Sequence, residues 1–419
     1  MTISLKKLFL LSFTVAILAK AMDALSFTGN YPSYIYSAYC ILFGILLLGR
    51  NNGKLRGLKT KAFQILLALI VYYFIWGAIL VAPNVNAADP RYLMYRTGLM
   101  LAFVFISYMW ISELDCIQEA IRYTYIGLLC FMLVLFVLHI REIDLPGTLA
   151  NFWGNSESPR SRTPFGFNAN NLAAELAMSV ILLSLMSNSL RRSTGLTWKK
   201  LLVILGDLIM FIIIIANNSR GTLIAALLML SVYGLFLANR RYGIQKTVKV
   251  LFGIAALAVI GLLIYLKRNG LTMEEFLATT NRYHFLDNIN ILNASGRKWI
   301  GLGNLSGGFF KNENYLFGYR TNYMEMFYVG VYVRTGILGS IFMLWILVRI
   351  FYQIVKAGEN NKTFLGRWFF LVYIYMLFLS FFEQYLFSNS YTSAILFLTL
   401  IFSHIQKSEL TGSQGEVRS

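Results

Sequence analysis

The chain has 419 residues, of which 57% are hydrophobic and only 13% are charged. A soluble domain carries about a quarter charged residues, so a soluble protein of this length is excluded. The formal net charge is +18, but the basic residues fall largely in short loops between apolar segments, as the positive-inside rule of membrane proteins predicts. Nucleic-acid binding is therefore not expected. The three cysteines form no C-x-x-C pair, which excludes a zinc site and a disulfide framework.

Twelve apolar segments along the chain come close to the roughly 20 residues that a membrane-spanning helix needs. They cover residues 5–22, 33–49, 62–82, 92–111, 119–140, 168–188, 199–216, 220–238, 248–266, 324–350, 365–387 and 390–406. We therefore expect an all-α polytopic membrane protein, a single membrane domain over residues 1–419. The tripeptide Ala19-Lys20-Ala21 resembles a signal-peptide cleavage site. A second apolar segment follows at once, however, which favours an uncleaved first helix and an even number of spans.

Loop charge predicts the orientation of these spans. The loops 50–61, 187–200, 240–249 and 356–367 carry 16 of the 37 basic residues and lie on one side, so we expect the N- and C-termini to be cytoplasmic. The loop 112–119 on that side is acidic, but acidic residues weigh little in the rule. Two long connections then lie outside, 141–167 and 267–323. The second, between the ninth and tenth spans, is rich in aromatic residues, and we expect it to fold against the membrane surface.

Arginines recur at the outer ends of the predicted spans, where an anion could bind. Ser219 is a good N-cap for the eighth span, and Arg220 then lies in the first turn, where the helix dipole disfavours a cation. An anion bound there would make the arrangement favourable, because amide N–H groups and a guanidinium would converge on it. The alternative is an interfacial arginine that contacts lipid headgroups.

Two further outer segments also place basic residues beside polar groups that could bind an anion. In the large loop, Ser295-Gly296 precedes Arg297 and Lys298 at an expected helix start. Before the sixth span, Arg160 and Arg162 precede an amide-rich stretch that includes Asn168 and Asn171. Such groups suit an anion or sugar hydroxyls. The alternatives are a solvated charge pair for the first segment and a polar helix cap with snorkelling arginines for the second.

Acidic residues at membrane depth are few, and such residues are costly in lipid and therefore functional candidates. They are Glu175, Asp207, Glu325 and Glu383. The histidines form no H-E-x-x-H pair, and the chain has no Walker loop, no strand followed by G-x-G-x-x-G and no D-x-D pair. We therefore expect no metal and no cofactor.

Five motifs in order resemble the O-antigen polymerase and ligase superfamily. They are Phe-Gly-Phe-Asn-Ala-Asn-Asn (165–171), Asn-Ser-Arg-Gly-Thr (218–222), Ser-Gly-Arg-x-Trp (295–299), Tyr-Leu-Phe-Gly (315–318) and Gly-Ile-Leu-Gly (336–339). Each motif is weak by itself, but this order, with a long outer loop between the ninth and tenth spans, is fairly specific. The resemblance covers roughly residues 160–350.

The resemblance implies glycosyl transfer from a polyprenyl-diphosphate-linked glycan at the outer face of a bacterial cytoplasmic (inner) membrane. Arg220 and Arg297 match the arginines that the family is thought to use for the diphosphate. Ligases have a histidine eleven residues before Gly336, but this chain has Glu325 there, followed by the expected Tyr328. With an acidic residue at this position, the chain resembles the polymerase branch of the superfamily, known as Wzy. Glu325 could then be the base that accepts the proton of the attacking hydroxyl.

The expected activity is therefore polysaccharide polymerisation, in which donor and acceptor are both undecaprenyl-diphosphate-linked oligosaccharides. Membrane lipids, and a chain-length regulator, are further partners to consider. A ligase would share the arginines but would carry histidine at position 325. A transporter of lipid-linked sugars would place its charges near the membrane midplane, and a purely structural membrane protein would not need them at all.

Overall fold

The computed structural model describes a large part of the chain. The described residues are 4–25, 31–50, 56–80, 90–150, 172–187, 198–217, 219–238, 266–270, 292–303, 326–361, 364–383, 385–387 and 391–416, with the positions 165, 249, 253, 260, 263–264, 272 and 289–290. Within these residues the regular secondary structure is helical throughout, so the all-α class is confirmed for this part of the chain.

The helices follow the apolar segments of the sequence. They are α1 (Leu5–Met22), α2 (Tyr31–Arg50), α3 (Lys61–Phe74), α4 (Pro90–Glu113), α5 (Ile117–His139), α6 (Leu145–Ala150), α7 (Leu172–Met186), α8 (Trp198–Ala216), α9 (Arg220–Ala238), α10 (Phe327–Asn361), α11 (Phe364–Leu379) and α12 (Thr392–Glu416). A π-helical turn, Ile75–Ile79, continues α3.

Four helical stretches in the described part are long and apolar enough to cross a membrane: Tyr31–Arg50, Lys61–Ile79, Ile117–Glu142 and Phe327–Gly358. The other predicted spans coincide with helices that are not in this set, except the segment 248–266, most of which lies outside the described residues. The prediction of about a dozen spans therefore stays a prediction. The same is true of the long outer loop 267–323, of which the structure describes mainly residues 292–303.

The last three helices differ from the predicted spans in their ends or in their backbone conformation. We expected the eleventh span to reach residue 387, but α11 ends at Leu379, and Phe387 adopts a left-handed conformation with φ 53°. In contrast, α12 runs on to Glu416, well beyond the apolar stretch. The helix α10 contains a break at Gly336, where φ is 63° and ψ is −164°. Hydropathy marks the apolar stretch but not these local changes of backbone conformation.

Three ion pairs lie at one end of the bundle, which we call the first face. It is the end where α1 begins and where α4 meets α5. The pairs are Lys6–Glu119 at 2.7 Å, Arg50–Glu113 at 3.7 Å and Lys407–Asp115. Every one of them uses an acidic residue from the segment 112–119, so the acidic loop that departs from the charge rule is matched by basic groups. The start of α1 and the end of α12 both contact this loop and therefore lie on the same face.

The opposite end of the bundle, the second face, is joined by a polar cluster around Asp23. Its carboxylate accepts hydrogen bonds from Lys20 at 3.0 Å, Ser33 at 2.7 Å and Arg96 at 3.3 Å. These bonds connect the end of α1 with the starts of α2 and α4. The assignment of one face to the outside of the cell stays a prediction from the loop charges.

The centre of the bundle is formed by α7, α11 and α12. Nearly every described side chain of α7 is buried, from Leu172 to Met186. A helix that is apolar and buried all round lies inside a bundle rather than at its surface. The single acidic residue of α7, Glu175, is therefore carried into the protein interior.

Candidate functional site

The break in α10 receives a turn from the large loop. We call residues 297–303 the arginine turn. Its backbone is bonded to α10 on both sides of Gly336: Ile337 N donates to Lys298 O at 3.0 Å, and Leu338 N donates to Trp299 O at 3.1 Å. Before the break, the carbonyls of residues 333 and 334 accept from the amides of residues 302 and 303, at 3.1 and 2.7 Å. The turn is thus held by backbone hydrogen bonds from both halves of α10.

Glycines make this close contact between backbones feasible. A Cβ on Gly336 would lie 2.5 Å from the carbonyl carbon of Trp299, and one on Gly301 would lie 2.3 Å from the carbonyl oxygen of Arg334. Both glycines also have positive φ, 63° and 75°, which L side chains rarely adopt. A Cβ on Gly339 would meet the side chain of Thr335 at 2.2 Å. The two glycines of the Gly-Ile-Leu-Gly motif are therefore explained by packing.

Arg297 is anchored at the base of this turn. Its Nε donates to Gly301 O at 2.8 Å, and Nη2 donates to Leu80 O at the end of the α3 extension. A guanidinium has five N–H donors, so these two bonds leave most of its donor capacity for a ligand. The side chain is half-buried, whereas Lys298 beside it is exposed.

The expected helix start at Ser295 is wrong. Residues 292–294 are helical, and Ser295 follows them in a turn, with its hydroxyl donating to Leu292 O at 2.7 Å. Gly296 has a φ of 70°. A glycine with positive φ directly after a helix is a common C-terminal cap. The Ser-Gly pair therefore ends a short helical segment, and no helix N-terminus supports an anion beside Arg297.

The start of α9, in contrast, is as expected. Ser219 occupies the N-cap position and its carbonyl accepts from Leu223 N at 3.1 Å. Its buried hydroxyl donates to the Thr222 hydroxyl at 2.7 Å. Arg220 is the first residue of the helix; its side chain lies outside what the structure describes. The next residue, Gly221, is packed so closely on the connection after α11 that a Cβ would lie 3.0 Å from Phe382 Cβ.

The arginine turn and the start of α9 lie against the same group of helix ends. Phe327 N, at the start of α10, donates to Ser380 O at 3.1 Å, and Tyr328 donates its hydroxyl to Leu377 O at 2.8 Å. Tyr73 of α3 donates to Phe387 O at 3.0 Å. The ends of α3 and α11 and the starts of α9 and α10 therefore converge at the second face.

The first half of α10, residues 327–335, links the two parts of this region. Its start lies beside the end of α11, next to the start of α9, and its end lies at the arginine turn. Nine helical residues extend over roughly 12 Å. The arrangement could therefore hold an elongated ligand at two places, rather than bring both arginines to a single phosphate.

Two buried polar side chains lie in elements of the same region. Glu175 is 1% exposed, and neither of its carboxyl oxygens has a hydrogen-bond partner among the residues that the structure describes. It lies within electrostatic range of Glu383, which accepts a hydrogen bond from the Tyr391 hydroxyl at 3.1 Å. Asn217, at the end of α8, is 7% exposed, and the oxygen and nitrogen of its amide group also lack a hydrogen-bond partner within the described part of the chain. Unsatisfied buried groups of this kind are uncommon and call for an explanation, such as a ligand or an ordered water.

Several predicted site residues lie outside the described residues: Arg160, Arg162, Asn168, Asn171 and Glu325. In the sequence, Glu325 is the residue before the described Met326. Of the motif around Asn168, only Phe165 is described, and its ring centroid lies 6.0 Å from that of His139. The roles that we assign to these residues, and to Ser219, Arg220, Arg297, Lys298 and Tyr328, remain predictions.

Among the side chains that the structure describes, no three from histidine, cysteine, aspartate and glutamate lie together in a way that could hold a metal ion. A scan against models of known protein families finds no match, and a search of curated proteins finds no significant relative. The resemblance to the polymerase and ligase superfamily therefore rests on the ordered motifs alone.

Sequence analysis missed the residues of α3 and its π-helical continuation that contact the arginine turn and α10. Trp76 donates its indole N–H to Ile300 O at 2.9 Å, and Tyr72 lies within hydrogen-bond distance of the Thr335 hydroxyl, at 3.4 Å. An aromatic residue near the end of a span is ordinarily attributed to the membrane interface. The sequence around Trp76 carries no signal for the π-helical turn that places it here.

Proposed function

We propose that the protein is a polysaccharide polymerase that joins polyprenyl-diphosphate-linked oligosaccharides at the outer face of the cytoplasmic membrane. In this proposal the chain crosses the membrane about twelve times with both termini inside, and the second face is the outer one. A carrier lipid would move in the bilayer plane and present its diphosphate at the level of this face.

The observation that carries the proposal is the convergence of Arg297 and the start of α9 on one face of the bundle. The motifs that contain these elements, at residues 220 and 297, lie about 75 residues apart in the sequence. The first half of α10 joins them, and in the sequence Glu325 comes two residues before it. Two arginine-bearing elements at one face can stabilise a diphosphate leaving group, and Glu325 is the base that we assign to a metal-free transfer.

The reaction assigns one task to each group. The oxygen of an acceptor hydroxyl bonds to the anomeric carbon of the donor sugar, and the bond from that carbon to the diphosphate breaks. The electron pair of the broken bond leaves with the polyprenyl diphosphate, which Arg297 contacts at one end and Arg220 with the amides of α9 contact at the other, and these contacts stabilise the charge. The hydroxyl proton passes to the Glu325 carboxylate. Lys298, Ser219 and Tyr328 bind the substrate, and the segment with Arg160, Arg162, Asn168 and Asn171 binds sugar.

The test uses purified protein in liposomes with lipid-linked repeat units, a metal chelator and no nucleotides, and the products are separated on a gel. We expect a ladder of polymer from the natural protein. Glu325→Gln keeps the side-chain shape but removes the base, and we expect polymer formation to slow by about 100-fold or more. Glu142→Gln is the matched control, because Glu142 is exposed, lies three residues after the end of α5 and contacts the neighbouring His139 at 2.9 Å.

Each alternative has its own outcome. Transfer of one glycan to an added acceptor lipid or protein, without a ladder, would indicate a ligase. Movement of the lipid-linked sugar across the bilayer, without any new glycosidic bond, would indicate a transporter. Normal ladders from the Glu325→Gln protein would refute the assignment of the base.

A further inference from the structure

The arginine turn is held not only by α10 but also by the end of α3. Trp76 donates its indole N–H to Ile300 O at 2.9 Å, and the carbonyl of Leu80 accepts from Arg297. Residues 76 and 80 thus contact the turn at two points, one on its backbone and one on the arginine side chain itself.

The π-helical turn Ile75–Ile79 brings these two groups to the arginine turn. Leu80 N donates to Ile75 O at 2.9 Å, which closes the wide turn. A π-helical turn contains one more residue than an α-helical turn, so it alters the direction of the side chains and carbonyls around it. Leu80 is the C-cap residue of this helical turn, and its carbonyl accepts a hydrogen bond from Arg297 Nη2.

The indole ring of Trp76 is fixed by close packing. The side chain is 6% exposed, and its ring centroid lies 5.2 Å from that of Tyr72 and 6.3 Å from that of Phe342. A Cβ on Gly339 would lie 2.9 Å from Cε2 of the indole. The glycine therefore admits the ring against α10, and the ring has little freedom to turn its N–H away from Ile300.

We propose that Trp76 is a positioning residue for Arg297. By holding the carbonyl of Ile300, it keeps the arginine turn seated on α3, so that the guanidinium stays between Leu80 O and Gly301 O with its remaining donors directed to an anionic ligand. The inference rests on the proposed function for the identity of that ligand, a polyprenyl diphosphate. The seating of the turn itself does not depend on the activity.

The test compares Trp76→Phe with Trp110→Phe. Both tryptophans are buried and donate their indole N–H to a backbone carbonyl, since Trp110 bonds Phe43 O at 3.0 Å near the first face. Hydrogen exchange of peptides from the arginine turn is measured in the full-length protein in detergent. We expect exchange about tenfold faster in Trp76→Phe and unchanged in Trp110→Phe. Trp76→Tyr serves as a second variant if Trp76→Phe unfolds at a much lower temperature than Trp110→Phe.

The second readout is kcat/KM for polymer formation, measured in a natural and in an Arg297→Lys background. If Trp76 acts through Arg297, Trp76→Phe lowers kcat/KM by about tenfold in the first background and by less than about twofold in the second. Unchanged exchange, or an equal loss in both backgrounds, would overturn the proposal. If the natural protein makes no polymer, the proposed function fails, and the exchange comparison alone decides whether Trp76 holds the turn.

Discussion

Replacing Gly336 by alanine tests the contact on which the candidate site depends. Gly336 has a φ of 63° and a ψ of −164°, a combination that is essentially confined to glycine. An added Cβ would also lie 2.5 Å from Trp299 C and 2.6 Å from the amide nitrogens of Ile300 and Gly301. These are backbone atoms, so no side-chain rotation can relieve the clash. The variant can fold only if the arginine turn moves away from α10.

The cost follows from what the movement breaks. The backbone conformation alone is worth about 1–3 kcal/mol. The four backbone hydrogen bonds between the turn and α10, between 2.7 and 3.1 Å long, contribute about 1 kcal/mol each at most, because water can replace part of them. We expect the docked state to lose about 3 kcal/mol or more, which corresponds to a change of more than 100-fold in the docking equilibrium.

Hydrogen exchange with mass spectrometry measures this equilibrium directly, in peptides covering the arginine turn and residues 333–339. We expect protection there to fall by more than about 100-fold in Gly336→Ala, while peptides of α12 stay protected. Gly98→Ala is the control, because a Cβ at Gly98 meets nothing within 4 Å. A helical glycine replaced in open space is expected to gain about 0.5–1 kcal/mol. Equal protection in both variants would refute the docking geometry.

Two further variants test the second face. Asp23→Asn should cost about 3 kcal/mol in thermal unfolding, because the Lys20–Asp23 pair is only 6% and 13% exposed, whereas Asp115→Asn on the exposed first-face pair should cost less than about 1 kcal/mol. Burial alone would raise the pKa of the Asp23 carboxyl, but Lys20 holds the pKa below its ordinary value. The difference in the free energy of unfolding between the natural and Asp23→Asn proteins should therefore be constant above about pH 5 and shrink as the pH falls below about 4. A pH-independent difference would contradict this reading. Gly221→Ala should cost about 1–3 kcal/mol by overpacking against Phe382 and should reduce polymer formation; full activity would show that the start of α9 tolerates displacement.

The sequence predicts the helices well, because a membrane span depends on a property that can be summed along the chain. Apolar stretches of the required length identify α1, α2, α4 and α5 to within a few residues. Helix ends are less predictable where a polar group continues the helix beyond the apolar stretch. The helix α12 runs on past its apolar part, where Lys407 contacts Asp115 and Glu409 accepts from Lys61 N at 2.7 Å. Those partners lie nearly 300 residues or more away, so local hydropathy cannot indicate them.

The candidate site is predictable only in part, for a related reason. An arginine at an outer helix end stands out because the position is unfavourable without an anion, and Arg220 could be singled out on that ground. Trp76 has no such signature, because its hydrogen bond to Ile300 joins a span to a loop more than 200 residues later. The expected helix start at Ser295 was wrong since Ser-Gly can begin one helix or end another, and only the positive φ of Gly296 distinguishes the two.

The acidic loop 112–119 shows how a departure from a statistical rule can have a local cause. Three carboxylates on the side where basic residues are expected would weaken the charge signal if they faced water alone. Each instead meets a lysine or arginine from α1, α2 or α12, so the loop joins three helices that are far apart in the chain. Exposed pairs of this kind contribute little energy individually, but they bring the start of α1 and the end of α12 to the same loop. The glycines at the second face have the equivalent role for backbone contacts, since they allow α10 and the arginine turn to meet without a side chain between them.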